Sequence, residues 1–409
     1  MSFNIQTHKE LTQVTTYQDT ALGIMRWGTD NSFPQTLKNL IDQSPSAKPA
    51  VERTKTFLKG AGFEGADEQV NPFGLTLKDI VDAAADDYAY FSGFAIHCNF
   101  NIEGQVTSMT PMAIPECRFN TFDELNYAAK IGYHPNFGLN AVVTKTVSNL
   151  PTRDKIKWIN RFNPKAVQPQ IIAAYEKSQV KKKTTKEVPE IKQLTIGIGN
   201  YAGQVLYHSE SGHSVYPIPP LQAPINFVLA DVENSILVRK ETTTGFIDSY
   251  ILKTTLDSED SDLVAFENAL LEAQGARGTG KIVTLAGMTP EDMQATVLEK
   301  IGTGDRKSTI ESATMAYELA QKVINGAYMI PPILAGSDQK TGFSSADLKE
   351  AYFVFNAVTQ HGRDTIEAQI NRILANSVFK TKSISIKKLK LDIDEEAPEE
   401  IVAKKKNKT

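Results

Sequence analysis

Apolar residues recur with a helical period along some stretches of the chain and with a period of two along others. Phe33, Leu37, Leu40 and Ile41 fall on one helical face, with Asn31 or Ser32 placed to cap it and Pro34 in the first turn, which predicts a helix over about 34–40. Thr76, with Asp79 three residues on, forms a capping pair for a second helix whose face is Ile80, Ala84, Tyr88 and Phe91. Short strands are expected at Phe94–His97 and Gln105–Thr107, joined by a hairpin turn at Asn101-Ile102-Glu103-Gly104. The run Lys181 to Lys186 is expected to be a solvated loop. Residues 1–224 therefore form a mixed and irregular first region.

The second half is more regular. Ile225, Leu229, Val232 and Ile236 predict a helix to about Thr244, with Gly245 placed to end it. Phe246 to Thr255 is rich in β-formers, Ser261 to Ala273 is amphipathic, and Lys281 to Leu285 is a second strand closed by Gly287. That makes 246–287 a small strand–helix–strand module between two long helices. The second long helix runs from about Asp305 to Tyr328, and Ile310, Ala313, Tyr317, Ala320 and Ile324 mark a seam for lengthwise packing, either against another subunit or within one. Pro331-Pro332 stops it, and a polar loop, Gly336 to Gly342, follows. Ser344 or Ser345 caps a last helix reaching about Leu374, with a kink expected at Gly362. A final strand is expected over Ile384–Leu391, then a disordered tail, 392–409, acidic first and lysine-rich after. The expected class is α+β.

Composition narrows the function. The chain has 409 residues, 41% apolar and 22% charged, enough for a real core. Its net charge of −4 argues against a tight grip on DNA or RNA, though not against letting nucleic acid slide past. Two cysteines, Cys98 and Cys117, exclude a disulfide framework. No apolar run is long enough to span a membrane, and the first residues lack a signal-peptide pattern.

Catalytic motifs fail on context. Gly275-Ala276-Arg277-Gly278-Thr279-Gly280-Lys281 has P-loop spacing, but Ile282 follows where Ser or Thr would hold magnesium, and the loop joins a helix to a strand rather than a strand to a helix. Gly197 to Gly203 fails as a dinucleotide loop for similar reasons. His97, Cys98, Cys117 and His134 lack zinc-site spacing, and no nucleophile elbow surrounds Ser209 or Ser211 between His208 and His213. The carboxylate pairs Asp86-Asp87 and Asp257 with Glu259-Asp260 fit solvated surfaces. No catalytic residue, metal ligand or cofactor is expected.

Several stretches, in order, resemble the HK97-like phage portal family. Trp27-Gly28-Thr29-Asp30-Asn31-Ser32-Phe33-Pro34 is similar to the W-G-x-D-N-x-x-P segment of portals from Bacteroidetes phages and prophages. Gly278 to Met288 is similar to the family's glycine-rich turn, strand and L-x-x-G-M; Ala327 to Gly336 to its G-V-P-P-x-L-L-G; and Ile366 to Leu374 to its I-E-x-x-L-N-x-x-L. The resemblance covers most of the chain from Trp27 to Leu391.

It implies an elongated α+β subunit. Residues 1–224, with a return over 329–391, would form a mixed wing. Residues 225–245 would be one stem helix, 246–288 a small α/β clip, and 289–328 a linker and second stem helix. The return would hold a tunnel loop and a long kinked helix, with 392–409 a disordered tail; the chain departs from larger family members in having little after Leu391. Ser337, Asp338, Gln339, Lys340 and Thr341 would lie in the loop at the DNA channel, Lys340 steering the phosphate backbone. Ile310, Ala313, Tyr317, Ala320 and Ile324 would form the subunit interface, and Phe246, Tyr250, Gln274 and Arg277 the clip surface for terminase or an adaptor. The implied function is a non-enzymatic, dodecameric ring at one capsid vertex of the virion, a conduit for packaging and ejecting double-stranded DNA. Its partners would be the terminase large subunit, the major capsid protein and a head-completion or adaptor protein, with no cofactor and no membrane, and assembly in the host bacterial cytoplasm. The alternatives are a nucleotide-binding enzyme using Gly275–Lys281, or another ring component of a phage head or tail.

Overall fold

The computed structural model describes residues 16–123, 127–138, 151–182, 189–210, 214–244, 249–253, 297–301, 306–336 and 345–391. The fold is α+β and divides into two compact units. One comprises Met1–Asn39, Pro49–Ala223 and Asn325–Thr409; the other comprises Leu40–Lys48 and Pro224–Ile324.

The first unit is built around a six-stranded sheet of order β4-β3-β8-β7-β6-β5. Its strands are β3 (Gly93–Phe100), β4 (Val106–Met112), β5 (Cys117–Phe119), β6 (Lys130–Tyr133), β7 (Lys157–Arg161) and β8 (Gln204–Ser209). Neighbours run antiparallel except β7 and β8, which are parallel. A ribbon of β1 (Thr16–Asp19) and β2 (Ile24–Trp27) precedes it. The helices of the first half are α1 (Phe33–Gln43), α2 (Ala47–Lys59), α3 (Leu77–Phe91), α4 (Val167–Lys182) and α5 (Glu190–Gly197). Lys181 and Lys182 thus end a helix rather than opening a loop, and 183–188 lie outside the described residues.

Local signals behave as expected. Thr76 and Asp79 close a reciprocal capping box on α3, which buries Leu77, Ile80, Val81, Ala84, Ala85 and Phe91. The β3–β4 turn is closed by Gly104 N–H donating to Asn101 O at 3.1 Å and Gln105 N–H donating to Asn101 Oδ1 at 2.8 Å.

The Trp27–Pro34 motif has a structural explanation. Arg118 of β5 is fully buried, and no carboxylate among the described residues pairs with it. Its Nε donates to Asn31 Oδ1 at 2.5 Å, Nη2 to Asn31 O at 2.8 Å, and Nη1 to the Pro115 and Cys117 carbonyls at 2.8 Å each. The rings of Trp27, Phe137 and Tyr216 surround the cation at 5.1–6.0 Å. Asn31 supplies both acceptors because it sits in the left-handed region, φ 63°, where asparagine is among the better tolerated side chains. Its Oδ1 also accepts from Trp27 N–H at 3.1 Å. Gly28, at φ 84°, lets the loop close: a Cβ there would stand 2.8 Å from the Phe33 Cβ. Trp27 itself stacks on Tyr216 at 4.5 Å.

The last long helix is broken, and not at the predicted place. α8 is a single turn, Pro332–Ala335; α9 covers Ser345–Val358 and α10 covers Gln360–Leu374, with Thr359 between them. The cause is Arg363, 2% exposed, whose guanidinium donates to Asn356 O at 2.6 Å, Thr359 Oγ1 at 2.8 Å and Phe57 O at 2.9 Å. It takes a carbonyl that the helical ladder would otherwise use. Gly362 instead provides close approach, since a Cβ there would meet Leu58 Cδ2 at 2.6 Å and Tyr88 Cε1 at 2.8 Å. The strand expected over Ile384–Leu391 is not formed: the segment joins no sheet, and Lys387 instead exchanges backbone hydrogen bonds with Ala61 and Gly62. Ile384 and Ile386 are buried, and their N–H groups donate to Asn371 Oδ1 and Glu367 Oε1.

The second unit contains α6 (Ile225–Thr244), β9 (Ser249–Lys253) and β10 (Val297–Ile301), and α7 (Arg306–Ala327) starts within it. Asp231 of α6 is fully buried; it accepts from Ser44 Oγ, from Ser46 N–H at 3.0 Å and from Ser46 Oγ at 3.2 Å. One carboxylate thereby fixes the Ser44–Ser46 turn between α1 and α2.

Candidate self-association surface

Among the described residues of the second unit, two helices are the longest elements. α6 has 20 residues and α7 has 22, about 30 and 33 Å at 1.5 Å per residue. β9 and β10 pair antiparallel, with Ser249 opposite Ile301 and Lys253 opposite Val297. Ser249 and Ile301, the strand ends nearest the two helices in sequence, are register partners. β10 falls where a linker was expected, and the predicted strand at 281–285 lies outside the described residues.

Burial along each rod is uneven. α6 buries Ile225, Val228 and Val232 in its first half, and Val238 farther on is exposed. α7 buries Ala320 and Ile324 completely in its second half. Before them, Met315 is 70% exposed, Leu319 53% and Tyr317 37%. Met315 and Leu319 are four residues apart, on one helical face.

The predicted seam therefore separates into parts. Ala320 and Ile324 are covered by the chain itself, which is the packing-within-a-subunit alternative at that end. Tyr317 is exposed and Ala313 half-buried, while the side chain of Ile310 lies outside the described residues. The apolar side chains left open are Met315 and Leu319, beside the seam rather than on it. Sequence reasoning missed them because a heptad pattern identifies a stripe and not what covers it; their spacing was the available signal. In the first unit, Phe353, Val354 and Val358 of α9 form another exposed apolar group.

The remaining predicted residues are scattered or not described. Ser337, Asp338, Gln339, Lys340 and Thr341 lie outside the described residues, as do Phe246, Gln274, Arg277 and the whole Gly275–Lys281 loop. Tyr250 lies in β9, opposite Lys300. Gly197–Gly203 runs from the end of α5 to the edge of β8, so no helix N-terminus follows it. Cys98 and Cys117 are buried free thiols on β3 and β5, and burial pushes both thiols up. His97 Nε2 is bonded to Ala202 O at 2.7 Å, and His134 Nδ1 accepts from Asn136 N–H at 3.1 Å. Among the described residues no group of His, Cys, Asp or Glu side chains is placed to hold a metal ion, and no helix is long and apolar enough to cross a membrane.

No family model matches the chain, and no curated protein matches it. Solved structures do. A chain of the virion of a native gene transfer agent particle is similar at a TM-score of 0.49 and 12% identity, covering 91% of this chain and 87% of that one. A chain of the neck of the native gene transfer agent particle, computed with C12 symmetry, is similar at a TM-score of 0.46 and 11% identity, covering 91% and 88%. An HK97 family phage portal protein from Corynebacterium diphtheriae is similar at a TM-score of 0.42 and 12% identity, covering 82% and 90%.

Proposed function

We propose that this chain is the ring-forming subunit of a portal-type conduit for double-stranded DNA. The observation that carries the reading is the succession of a 20-residue helix, two strands paired antiparallel, and a 22-residue helix with open apolar side chains. Rods of this kind can stand side by side around an axis, and a heterologous contact that closes on itself makes a ring. The order of the portal-like sequence motifs supports the same assignment.

In this reading α6 and α7 are the stem, and Met315, Tyr317 and Leu319 face the neighbouring subunit. The ring is a dodecamer at one capsid vertex, held by the major capsid protein and assembled in the bacterial cytoplasm. The segment between β9 and β10 belongs to the clip that meets the terminase large subunit and later a head-completion or adaptor protein. The channel loop is 337–341, with Lys340 steering phosphates. A net charge of −4 suits a conduit, because strong attraction to phosphates would stall translocation.

Purified full-length protein tests this directly by negative-stain microscopy together with native mass spectrometry. Rings with a central hole and a single high subunit count are expected. A strictly monomeric species at high concentration overturns the proposal.

A further inference from the structure

Phe73 is 91% exposed, on the turn that leads into α3. The turn is firmly built. Asn71, which is buried, accepts through Oδ1 from Phe73 N–H at 2.9 Å and from Leu75 N–H at 3.0 Å. Val70 N–H donates to Leu75 O at 2.8 Å, and Met109 N–H of β4 donates to Val70 O at 2.9 Å. Pro72 restricts the backbone before Phe73, and Gly74 turns it at φ 91°. A lone apolar side chain on a surface needs no explanation. A phenylalanine held out on a turn with a buried anchor is preorganised for contact, which lowers the cost of ordering it in an interface.

A hollow of ≈ 200 Å³ lies at the other end of α3, bounded also by the end of α7 and the start of α10. Its rim is Met329, 68% exposed, and the exposed Val358, with half-buried Tyr88 and Pro220 beside them. Met329 follows α7 at φ 52°, a position where helices commonly place glycine. The chain keeps a long apolar side chain there at a backbone cost, and such outliers point to a use for the side chain. The polar groups around the hollow are engaged elsewhere. Tyr88 Oη donates to Glu210 Oε2 at 3.0 Å, Tyr328 Oη to Ala89 O at 2.9 Å, and Thr359 Oγ1 to Phe355 O at 2.8 Å, while His361 is bonded to Glu210. What the hollow offers an occupant is therefore apolar surface. Cavities of about 150 Å³ take up benzene, so this one has room for a phenyl ring.

We propose that the Phe73 ring of one copy of this chain seats in the hollow rimmed by Met329 and Val358 of a second copy. α3 has 15 residues and is about 22 Å long, with Phe73 before its first turn and the hollow at its last. A chain therefore cannot fill its own hollow, and every paired copy still has a ring or a hollow to offer. A contact of this kind is heterologous: it passes from copy to copy and closes where the rotation allows. It involves the first unit alone, apart from Met315 and Leu319 on α7. The inference deepens the ring reading by naming a further contact between subunits, and it rests on that reading for closure.

Cysteine cross-linking of the full-length protein tests it. The chain's two cysteines are both buried, so introduced surface thiols react on their own. Phe73→Cys/Met329→Cys treated with a short bismaleimide should give a ladder of covalent multimers on a denaturing gel. The two single variants mixed should give pairs and nothing longer, and each alone should stay uncross-linked. Val358→Cys takes the place of Met329→Cys if that variant fails to fold. Phe73→Ser should weaken association about 10- to 100-fold by sedimentation velocity, with its urea midpoint unchanged because the side chain is exposed. Rings by negative-stain microscopy without a ladder overturn this contact and leave the ring reading standing. A ladder with open filaments and no rings supports the contact and overturns the ring reading. Monomers without a ladder overturn both. Dimers from Phe73→Cys alone, or wild-type association by Phe73→Ser, overturn the contact.

Discussion

The open side chains of α7 allow the ring reading to be tested by number. Fully burying a Met or Leu side chain is worth about 1.5–3 kcal/mol. Met315 and Leu319 retain 70% and 53% of their exposure in the isolated chain. If a neighbouring subunit covers them, their combined loss in a Met315→Ser/Leu319→Ser variant is about 2.5 kcal/mol per interface. That weakens each contact about 60-fold. Both positions are exposed, so the subunit's own stability should stay within about 0.5 kcal/mol of wild type. Ile324→Ala is the matched control. Ile324 is fully buried, so its truncation should cost about 2–5 kcal/mol of folding stability. Sedimentation velocity over a concentration series reads association, and urea titration reads stability. A double variant that assembles at the same concentration as wild type refutes the reasoning.

Three further outcomes follow from the anchors of the fold. Asp231→Ala strips the Ser44–Ser46 turn of its buried acceptor and should cost about 2–4 kcal/mol by urea denaturation. Gly362→Ala places a methyl group against Leu58 and Tyr88 and should cost about 1–3 kcal/mol, measured the same way. Asp87, whose Oδ2 accepts from Ile114 N–H at 3.1 Å, has its pKa pushed by burial from 3.8 up to about 7, with Lys38 opposing the shift and Asp86 and Glu116 adding to it. The folded state then holds a proton that the unfolded state has lost, so wild-type stability should fall as pH rises from 3.8 to about 7 and level off above. Asp87→Asn should remove that slope and be the more stable protein above neutral pH, and urea melts across the range would show it.

Elements whose cause is local were legible in the sequence. The Thr76–Asp79 box, the Asn101–Gly104 turn and the face of α1 all rest on residues within a few positions of each other. Elements whose cause is distant were not. Gly362 suggested a kink, but the break at Thr359 is made by Arg363, which also holds Phe57, 306 positions away in the chain. The Trp27–Pro34 motif resembled a family signature, yet its basis involves Arg118, Phe137 and Tyr216. A pattern of apolar residues could not distinguish Ile324, covered by its own chain, from Met315, left open.

The buried polar anchors share a feature that bears on assembly. Arg118 and Arg363 bond to backbone carbonyls and neutral side chains, and Asp231 to two serines and an N–H group. Each combines backbone groups with neutral side chains, so each fixes a backbone path as well as the side chains along it. Breaking such a set leaves several buried groups unmatched at once, which penalises alternative packings of the same segment. A closed ring is sensitive to subunit shape, because a small error in the angle between neighbours repeats at every interface and prevents closure. On the proposed ring reading, polar anchoring within each unit and apolar side chains left open on α7 would serve closure in different ways. A subunit held together mainly by adaptable apolar contacts would fold as well but would close less reliably.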